Sequence, residues 1–142
     1  MLTKFRLLPV ASVSLSFSVA SAEPRVTDAV LRQDTINKPG GYETVKPGTV
    51  FCPDTVFIAG VFKMEGAWIG TTVPIVWIAE DVGPAAPANY KILEKSLTLR
   101  FLNSGMFSLS KPNKGFPVGS YRLEIYFGDK LARAVKFSVQ AP

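Results

Sequence analysis

The sequence GFPVGSYRLEIYFGDKLARAVKFSV, residues 115–139, predicts two antiparallel β-strands joined by a short turn. Apolar side chains alternate with polar ones in the first strand and share one parity in the second, which is the pattern of a half-buried strand. Gly128 and Asp129 are placed to form the turn. A hairpin with one apolar face is not stable alone in water. The rest of the chain must therefore supply the sheet on which this hairpin packs.

Further strands are predicted upstream, where short apolar runs are separated by turn residues. A looser alternation at residues 25–34 predicts an edge strand. The Pro-Gly-Gly and Pro-Gly sequences within residues 35–48 predict a turn-rich connection. No helical period of comparable strength is present, which favours an all-β sandwich or barrel. The remaining predicted strands lie at residues 54–63, 72–80, 90–102 and 106–110.

The C-terminal third contains Gly-Ser-Tyr at residues 119–121 and closes with Phe-Ser-Val at residues 137–139. This order resembles the last third of immunoglobulin-like modules in secreted bacterial proteins, and the resemblance covers roughly residues 51–139. It implies a buried core tryptophan, Trp77, and a tyrosine corner in which the Tyr121 hydroxyl bonds back to the crossing loop. We therefore expect a single immunoglobulin-like antiparallel β-sandwich of about seven strands.

Residues 1–22 have the three parts of an export signal. Basic residues precede an apolar run at residues 7–19, and Ala20 and Ala22 supply the small side chains that signal peptidase accepts. A membrane anchor is the alternative, but the run is shorter than the roughly 20 residues of a membrane span. We expect cleavage before Glu23, one domain at residues 23–142 with no transmembrane span, and a periplasmic or secreted location.

A single cysteine, Cys52, is present, so no internal disulfide can form and stability must come from the core. The sequence favours Cys52 as a small buried apolar side chain at a strand end. The alternatives are an intermolecular disulfide, formed in an oxidising compartment, and a reactive thiol.

The charged residues, 16 Lys and Arg against 11 Asp and Glu, are scattered along the chain. A nucleic-acid site needs basic residues in a cluster or stripe, so no nucleic-acid partner is expected. The scattered basic residues instead indicate a mildly basic, solvated surface.

The chain has no histidine, which excludes Ser-His-Asp and Cys-His catalysis and His-ligated metals. An acid-pair hydrolase would need two of four carboxylates to converge in a cleft. No calcium loop or phosphate-binding glycine motif occurs. We therefore expect a non-enzymatic domain with no metal and no cofactor. The four carboxylates left open are Glu65, Glu80, Asp81 and Asp129.

Two predicted strands, residues 54–63 and 72–80, are apolar on both faces. The outer face of an antiparallel sandwich should be polar, so one set of these side chains needs a cover. Either the loops at residues 35–48 and 81–89 lie across the sheet, or an exposed patch binds a partner subunit. The side chains predicted to face outward are either the opposite set on these strands or the set Val56, Ile58, Phe62, Val76 and Ile78.

Three aromatic residues, Tyr42, Trp68 and Phe116, fall in predicted turns, and Trp68 lies between Gly66 and Gly70. Loop aromatics on a rigid sandwich bind sugars or protein partners. The alternative is that Trp68 caps the end of the core and that Phe116 plugs the corner before the last hairpin.

The sequence therefore favours a non-catalytic exported binding module, whose partner is another envelope or secreted protein or a second copy of itself. A carbohydrate or cell-wall binding module is the alternative, with Trp68, Tyr42 and Phe116 as stacking platforms for a polysaccharide. That alternative requires the three aromatic residues to lie at one end of the sandwich.

Overall fold

Two β-sheets form the structure, a computed structural model that describes residues 23–38, 41–100 and 103–142. One sheet has the order β2-β1-β4-β7 and the other the order β3-β9-β8-β5-β6. Neighbouring strands are antiparallel except β3 and β9, which are parallel. None of the described residues forms a helix long and apolar enough to cross a bilayer. The strands are β1 Arg25–Lys38, β2 Gly41–Pro47, β3 Val50–Phe51, β4 Phe57–Glu65, β5 Thr72–Asp81, β6 Tyr90–Thr98, β7 Ser104–Ser110, β8 Gly119–Phe127 and β9 Lys130–Val139.

The predicted hairpin is confirmed as β8 and β9. Phe127 pairs with Lys130 across the turn, and Gly128 has φ +57°, the left-handed conformation that the first position of a two-residue hairpin turn favours. A register shift next to Tyr126 changes the face of the residues that follow. Leu131 is consequently exposed, although it shares the parity of the buried Phe137.

The core lies between the two sheets and is built from alternate residues of the central strands. Trp77 is fully buried and meets two other rings edge-on, with centroids 5.8 Å from Phe107 and 5.9 Å from Phe137. This confirms Trp77 as the core tryptophan. The other large side chains that are almost fully buried include Ile58, Phe62, Met64, Ile75, Leu99, Tyr121, Leu123 and Ile125.

The tyrosine corner is also confirmed. The Tyr121 hydroxyl donates to the carbonyl oxygen of Pro117, four residues upstream, and the Tyr121 ring stacks on Phe137. Gly119 has φ +154°, and a Cβ there would collide with the carbonyl of Asp81. Glycine and tyrosine together therefore hold the loop before β8 close to the end of β5.

The prediction of an edge strand at residues 25–34, followed by a turn-rich connection at residues 35–48, is wrong. β1 continues to Lys38 and lies between β2 and β4, and Lys38 pairs with Gly41. Residues 41–47 thus form a strand that pairs with β1, where a turn-rich connection was predicted. The described residues form nine strands rather than about seven, and β2 and the two-residue β3 account for the difference.

The corner can be tested by replacing Tyr121 with phenylalanine, which removes the hydroxyl but keeps the ring. We expect Tyr121→Phe to lower the free energy of unfolding by about 1–2 kcal/mol, because the Pro117 carbonyl loses its donor. Urea-induced unfolding measures the difference. Tyr90→Phe is the control, because Tyr90 is half exposed and the change should stay within about 0.5 kcal/mol. Equal effects of the two variants would contradict the corner.

Alkaline pH provides a second test of Tyr121. Burial raises the pKa of Tyr121 to about 12, whereas tyrosine in an unfolded chain ionises near pH ~10. The folded state therefore keeps a proton that the unfolded state releases, so this stabilisation is complete below pH ~10 and is lost as the pH rises towards 12. We expect the free energy of unfolding to fall more steeply across this interval in the wild type than in Tyr121→Phe. Parallel curves would contradict the raised pKa.

Candidate functional site

The sandwich has two distinct ends. Arg25 at the start of β1 pairs with Glu65 at the end of β4, beside the connection at residues 66–71. The β8–β9 turn at Gly128 lies at the same end, because β8 runs antiparallel to β5. We call this the Trp68 end. The opposite end, which we call the Phe116 end, contains the β5–β6 and β7–β8 connections.

A hydrogen-bonded turn at the Trp68 end presents two apolar side chains to solvent. The backbone N–H of Thr71 donates to the carbonyl of Trp68 at 3.0 Å, and the N–H of Trp68 donates to Oγ1 of Thr71 at 3.2 Å. The N–H of Gly70 donates to the carbonyl of Leu99 at 2.9 Å, and Gly70 has φ +91°. Trp68 is 79% exposed and Ile69 is 60% exposed. The interpretation of Trp68 as a core cap is therefore wrong.

A groove of about 650 Å³ lies directly beside this turn. Its walls come from the first residues of β1, from Thr71 and Thr72, and from the β8–β9 turn with the start of β9. Phe127 and Ala132, both partly buried against the core, line its apolar part. Leu131 is a further apolar side chain of the lining and is half exposed. Because Thr71 belongs to both the turn and the groove wall, the two form one continuous surface.

Two ion pairs border this groove. The ammonium of Lys130 lies 2.9 Å from a carboxylate oxygen of Glu23, and this hydrogen bond lowers the pKa of the Glu23 carboxyl. Arg25 donates to one oxygen of Glu65 from Nε at 3.1 Å and from Nη2 at 2.5 Å. The groove thus has an apolar centre and charged side chains at its border.

The predicted outward set is wrong for β4. Ile58 and Phe62 are 0% and 1% exposed, because the even-numbered residues of β4 face the core. Val56 lies just before β4 and is exposed. Val76 and Ile78 do face outward from β5, yet each is only 7% exposed. These five residues do not form one apolar patch.

Side chains of neighbouring strands cover Val76 and Ile78. Val76 lies opposite Glu94 and Glu124, and Ile78 lies opposite Lys91 and Arg122. Long charged side chains can lay their aliphatic stems over apolar neighbours while the charged groups stay in water. The cover therefore does not depend on long loops that cross the sheet.

The charged groups of this cover are paired with one another. The guanidinium of Arg122 lies 3.3 Å from Glu124 and 3.5 Å from Glu80, and Lys91 lies 2.8 Å from Glu94. The hydroxyl of Tyr126 donates to Glu124 at 2.9 Å, and this hydrogen bond raises the pKa of Tyr126. The outer face of β5, β6 and β8 is consequently polar.

The three aromatic residues of the carbohydrate hypothesis do not meet. Phe116 is 3% exposed and belongs to the core at the Phe116 end, so its interpretation as a plug is confirmed and its role as a platform is wrong. Tyr42 pairs with Asn37 in the β1–β2 hairpin, beyond the level where Gln33 pairs with Ile58. Its backbone therefore lies away from the Trp68 end. A stacking platform of Trp68, Tyr42 and Phe116 is excluded.

Cys52 is exposed, so the expectation of a buried side chain is wrong. It follows the buried Phe51, at the point where the chain leaves the two-residue strand β3 and turns. The carbonyl of Cys52 accepts a hydrogen bond from the N–H of Thr55, and Thr55 takes the buried position. An accessible thiol leaves the two alternatives, an intermolecular disulfide and a reactive thiol.

The four candidate carboxylates are divided between the two ends. Glu65 and Asp129 lie at the Trp68 end, whereas Glu80 and Asp81 lie at the end of β5. Glu80 approaches two cations, Arg122 at 3.5 Å and Lys136 at 3.9 Å, and Asp81 accepts from the N–H of Gly83. Within the described part of the chain, no group of three or more Cys, Asp or Glu side chains could hold a metal ion.

Comparison with known proteins supports the fold. No protein-family model and no curated protein sequence matches this chain. An immunoglobulin-like protein from Pseudomonas aeruginosa matches at 16% identity with a TM-score of 0.53, over 85% of this chain and 99% of that one. A β-glucosidase from Listeria innocua in complex with gluconolactone has a TM-score of only 0.39 at 8% identity, over 80% of this chain and 16% of that one. The immunoglobulin-like sandwich is therefore confirmed as the fold of this chain.

The position of Cys52 predicts its reactivity. We expect one thiol per chain to react with a thiol-specific reagent such as DTNB while the protein is folded, because the side chain is exposed. Adding denaturant should not increase the rate appreciably. A thiol that reacts only after unfolding would contradict the exposed position.

Proposed function

We propose that this chain is a non-catalytic exported module that binds another protein of the cell envelope or the secreted space, with the Trp68 turn and its groove as the binding surface. The observation that carries the proposal is the exposure of Trp68 and Ile69 on a hydrogen-bonded turn. Neither side chain belongs to the core cluster, and two adjacent exposed apolar side chains beside a groove favour an interaction site.

The energetics of association support this use of the turn. Burying a large apolar side chain contributes roughly 1.5–3 kcal/mol, and tryptophan is enriched among the residues that dominate binding energy. The backbone of the turn is already fixed by Thr71 and Gly70, so little conformational entropy is lost when a partner binds. A rigid apolar protrusion beside a groove also matches the shape of a protein partner, which offers both pockets and protruding side chains.

The chemistry of the surface favours a protein over a polysaccharide. A sugar-binding platform uses flat aromatic rings, whereas here Trp68 is accompanied by the aliphatic side chains of Ile69 and Leu131. Aliphatic side chains bury well against the apolar side chains of a protein.

Export is the part of the proposal that the sequence of residues 1–22 supports, and these residues lie outside the described part of the chain. We expect the mature protein from a bacterial host to begin at Glu23, measured by intact mass. Ala22→Arg should leave the signal uncleaved, because signal peptidase needs a small residue there. Ser21→Arg is the control, because the position between the two small residues tolerates larger side chains. A mature chain that still carries residues 1–22 would contradict export by this route.

The binding surface can be tested with two variants of the full chain. Tagged wild-type protein is used to capture partners from an envelope fraction of the source organism, and the affinity for each captured protein is then measured. We expect Trp68→Ala to weaken binding by about 30-fold or more, the effect of truncating a dominant interface residue. Tyr90→Ala removes a half-exposed aromatic residue at the other end of the sandwich and should leave binding unchanged.

Two results would contradict the proposal. One is an affinity that Trp68→Ala leaves unaltered, and the other is an equal loss with both variants. Urea-induced unfolding of each variant separates loss of binding from loss of fold.

A further inference from the structure

The groove is bordered by a sheet edge whose backbone is unpaired. β3 covers only the last part of β9, where Val50 pairs with Ser138 and Phe51 with Val139. From Lys130 to Lys136, no strand of the described residues pairs with β9 on the side away from β8. β1 approaches β9 without pairing with it, and a strand edge that lacks a paired partner is a template for another strand.

The direction of the free backbone groups follows from the bonds that β3 makes. The N–H of Ser138 donates to the carbonyl of Thr49 at 2.8 Å, and the N–H of Gln140 donates to the carbonyl of Phe51 at 2.9 Å. Backbone groups on one side of a strand repeat every second residue. Ala134 and Lys136 therefore direct their N–H and carbonyl groups towards the uncovered edge, because the register with β8 is regular from residue 133 to residue 139.

We propose that the free edge of β9 binds its partner by strand addition, an inference that rests on the proposed protein-binding function. The added strand is an extended segment rich in Asp and Glu. Main-chain hydrogen bonds to Ala134 and Lys136 supply affinity in this mode. The adjacent groove and the Trp68 turn receive the apolar side chains that the same partner carries.

The charges along β9 indicate which kind of strand would bind to its free edge. Lys130, Arg133 and Lys136 are all exposed. Lys130 is paired with Glu23 and Lys136 lies 3.9 Å from Glu80, whereas Arg133 forms no ion pair with any described residue. A second copy would bring the same three cations against this edge, and like charges on neighbouring strands are destabilising. An acidic segment would instead place carboxylates opposite them.

The test uses the full-length protein as it is purified after export and a synthetic peptide of alternating glutamate and valine. We expect the peptide to bind at low ionic strength, to weaken as salt is added, and to protect the amides of Ala134 and Lys136 from hydrogen exchange. The same peptide with lysine in place of glutamate should not bind. Binding without protection of these two amides would mean simple charge attraction and would overturn the proposal, and so would absence of binding.

A matched pair of variants gives a second readout. Ala134→Pro removes an N–H that faces the free edge, a substitution that edge strands tolerate, and should weaken peptide binding by about tenfold or more. Ala134→Thr keeps the N–H and should bind as the wild type does. Equal affinities of the two variants would overturn strand addition. If Ala134→Pro does not fold, the amide protection in the wild type decides the question.

The outcomes separate this inference from the proposed function. Binding of a captured partner that depends on Trp68 but not on the N–H of residue 134 would overturn strand addition and leave the protein-binding function in place. If Trp68→Ala and Ala134→Pro both bind the captured partner and the peptide as tightly as the wild type does, the proposed function and strand addition are both wrong. A dimer of the wild-type protein that Ala134→Pro abolishes would make a second copy the occupant and overturn the acidic segment.

Discussion

Trp77 contacts aromatic rings from both sheets and so holds the two halves of the sandwich together. Its indole meets Phe107 of β7 on one side and Phe137 of β9 on the other. Phe107 in turn contacts Phe62, and Phe137 contacts both Tyr121 and Phe51. One continuous set of aromatic contacts thus joins the two sheets, and the burial of this apolar area is the main force that holds them together. The Nε1 atom of Trp77 has no partner among the described residues, a cost of about 1–3 kcal/mol that the buried area of the ring must offset.

The local features of this fold could be predicted from the sequence because each depends on residues that are close together in the chain. The β8–β9 hairpin follows from alternation and from Gly128, and the corner follows from Gly119 and Tyr121. The outward face of β4 could not be predicted, because a strand that is apolar on both faces carries no information about which face is buried. That choice depends on the strands on either side, and it placed Ile58 and Phe62 in the core.

The candidate site also combines a feature that could be predicted from nearby residues with features that could not. The exposed turn could be located because Gly66 and Gly70 flank Trp68, although the sequence left open whether the ring faced the core or solvent. The groove could not be predicted, because three segments distant in the chain form it, at residues 23–26, 71–72 and 127–132. The free edge of β9 depends on β3 being only two residues long, which turn signals do not specify. A surface made by strand order is visible only in the folded structure.

If β9 has an open edge beside the Trp68 turn, hydrogen exchange of individual amides in the free protein will reveal it. We expect the amides of Ala134 and Lys136 to exchange rapidly, while those of Val135 and Phe137, which face β8, and that of Ser138, which is bonded to Thr49, exchange slowly. This alternation would establish that the edge is available to a partner strand. Protection of Ala134 and Lys136 equal to that of Ser138 would mean that the edge is already covered, and would contradict the account.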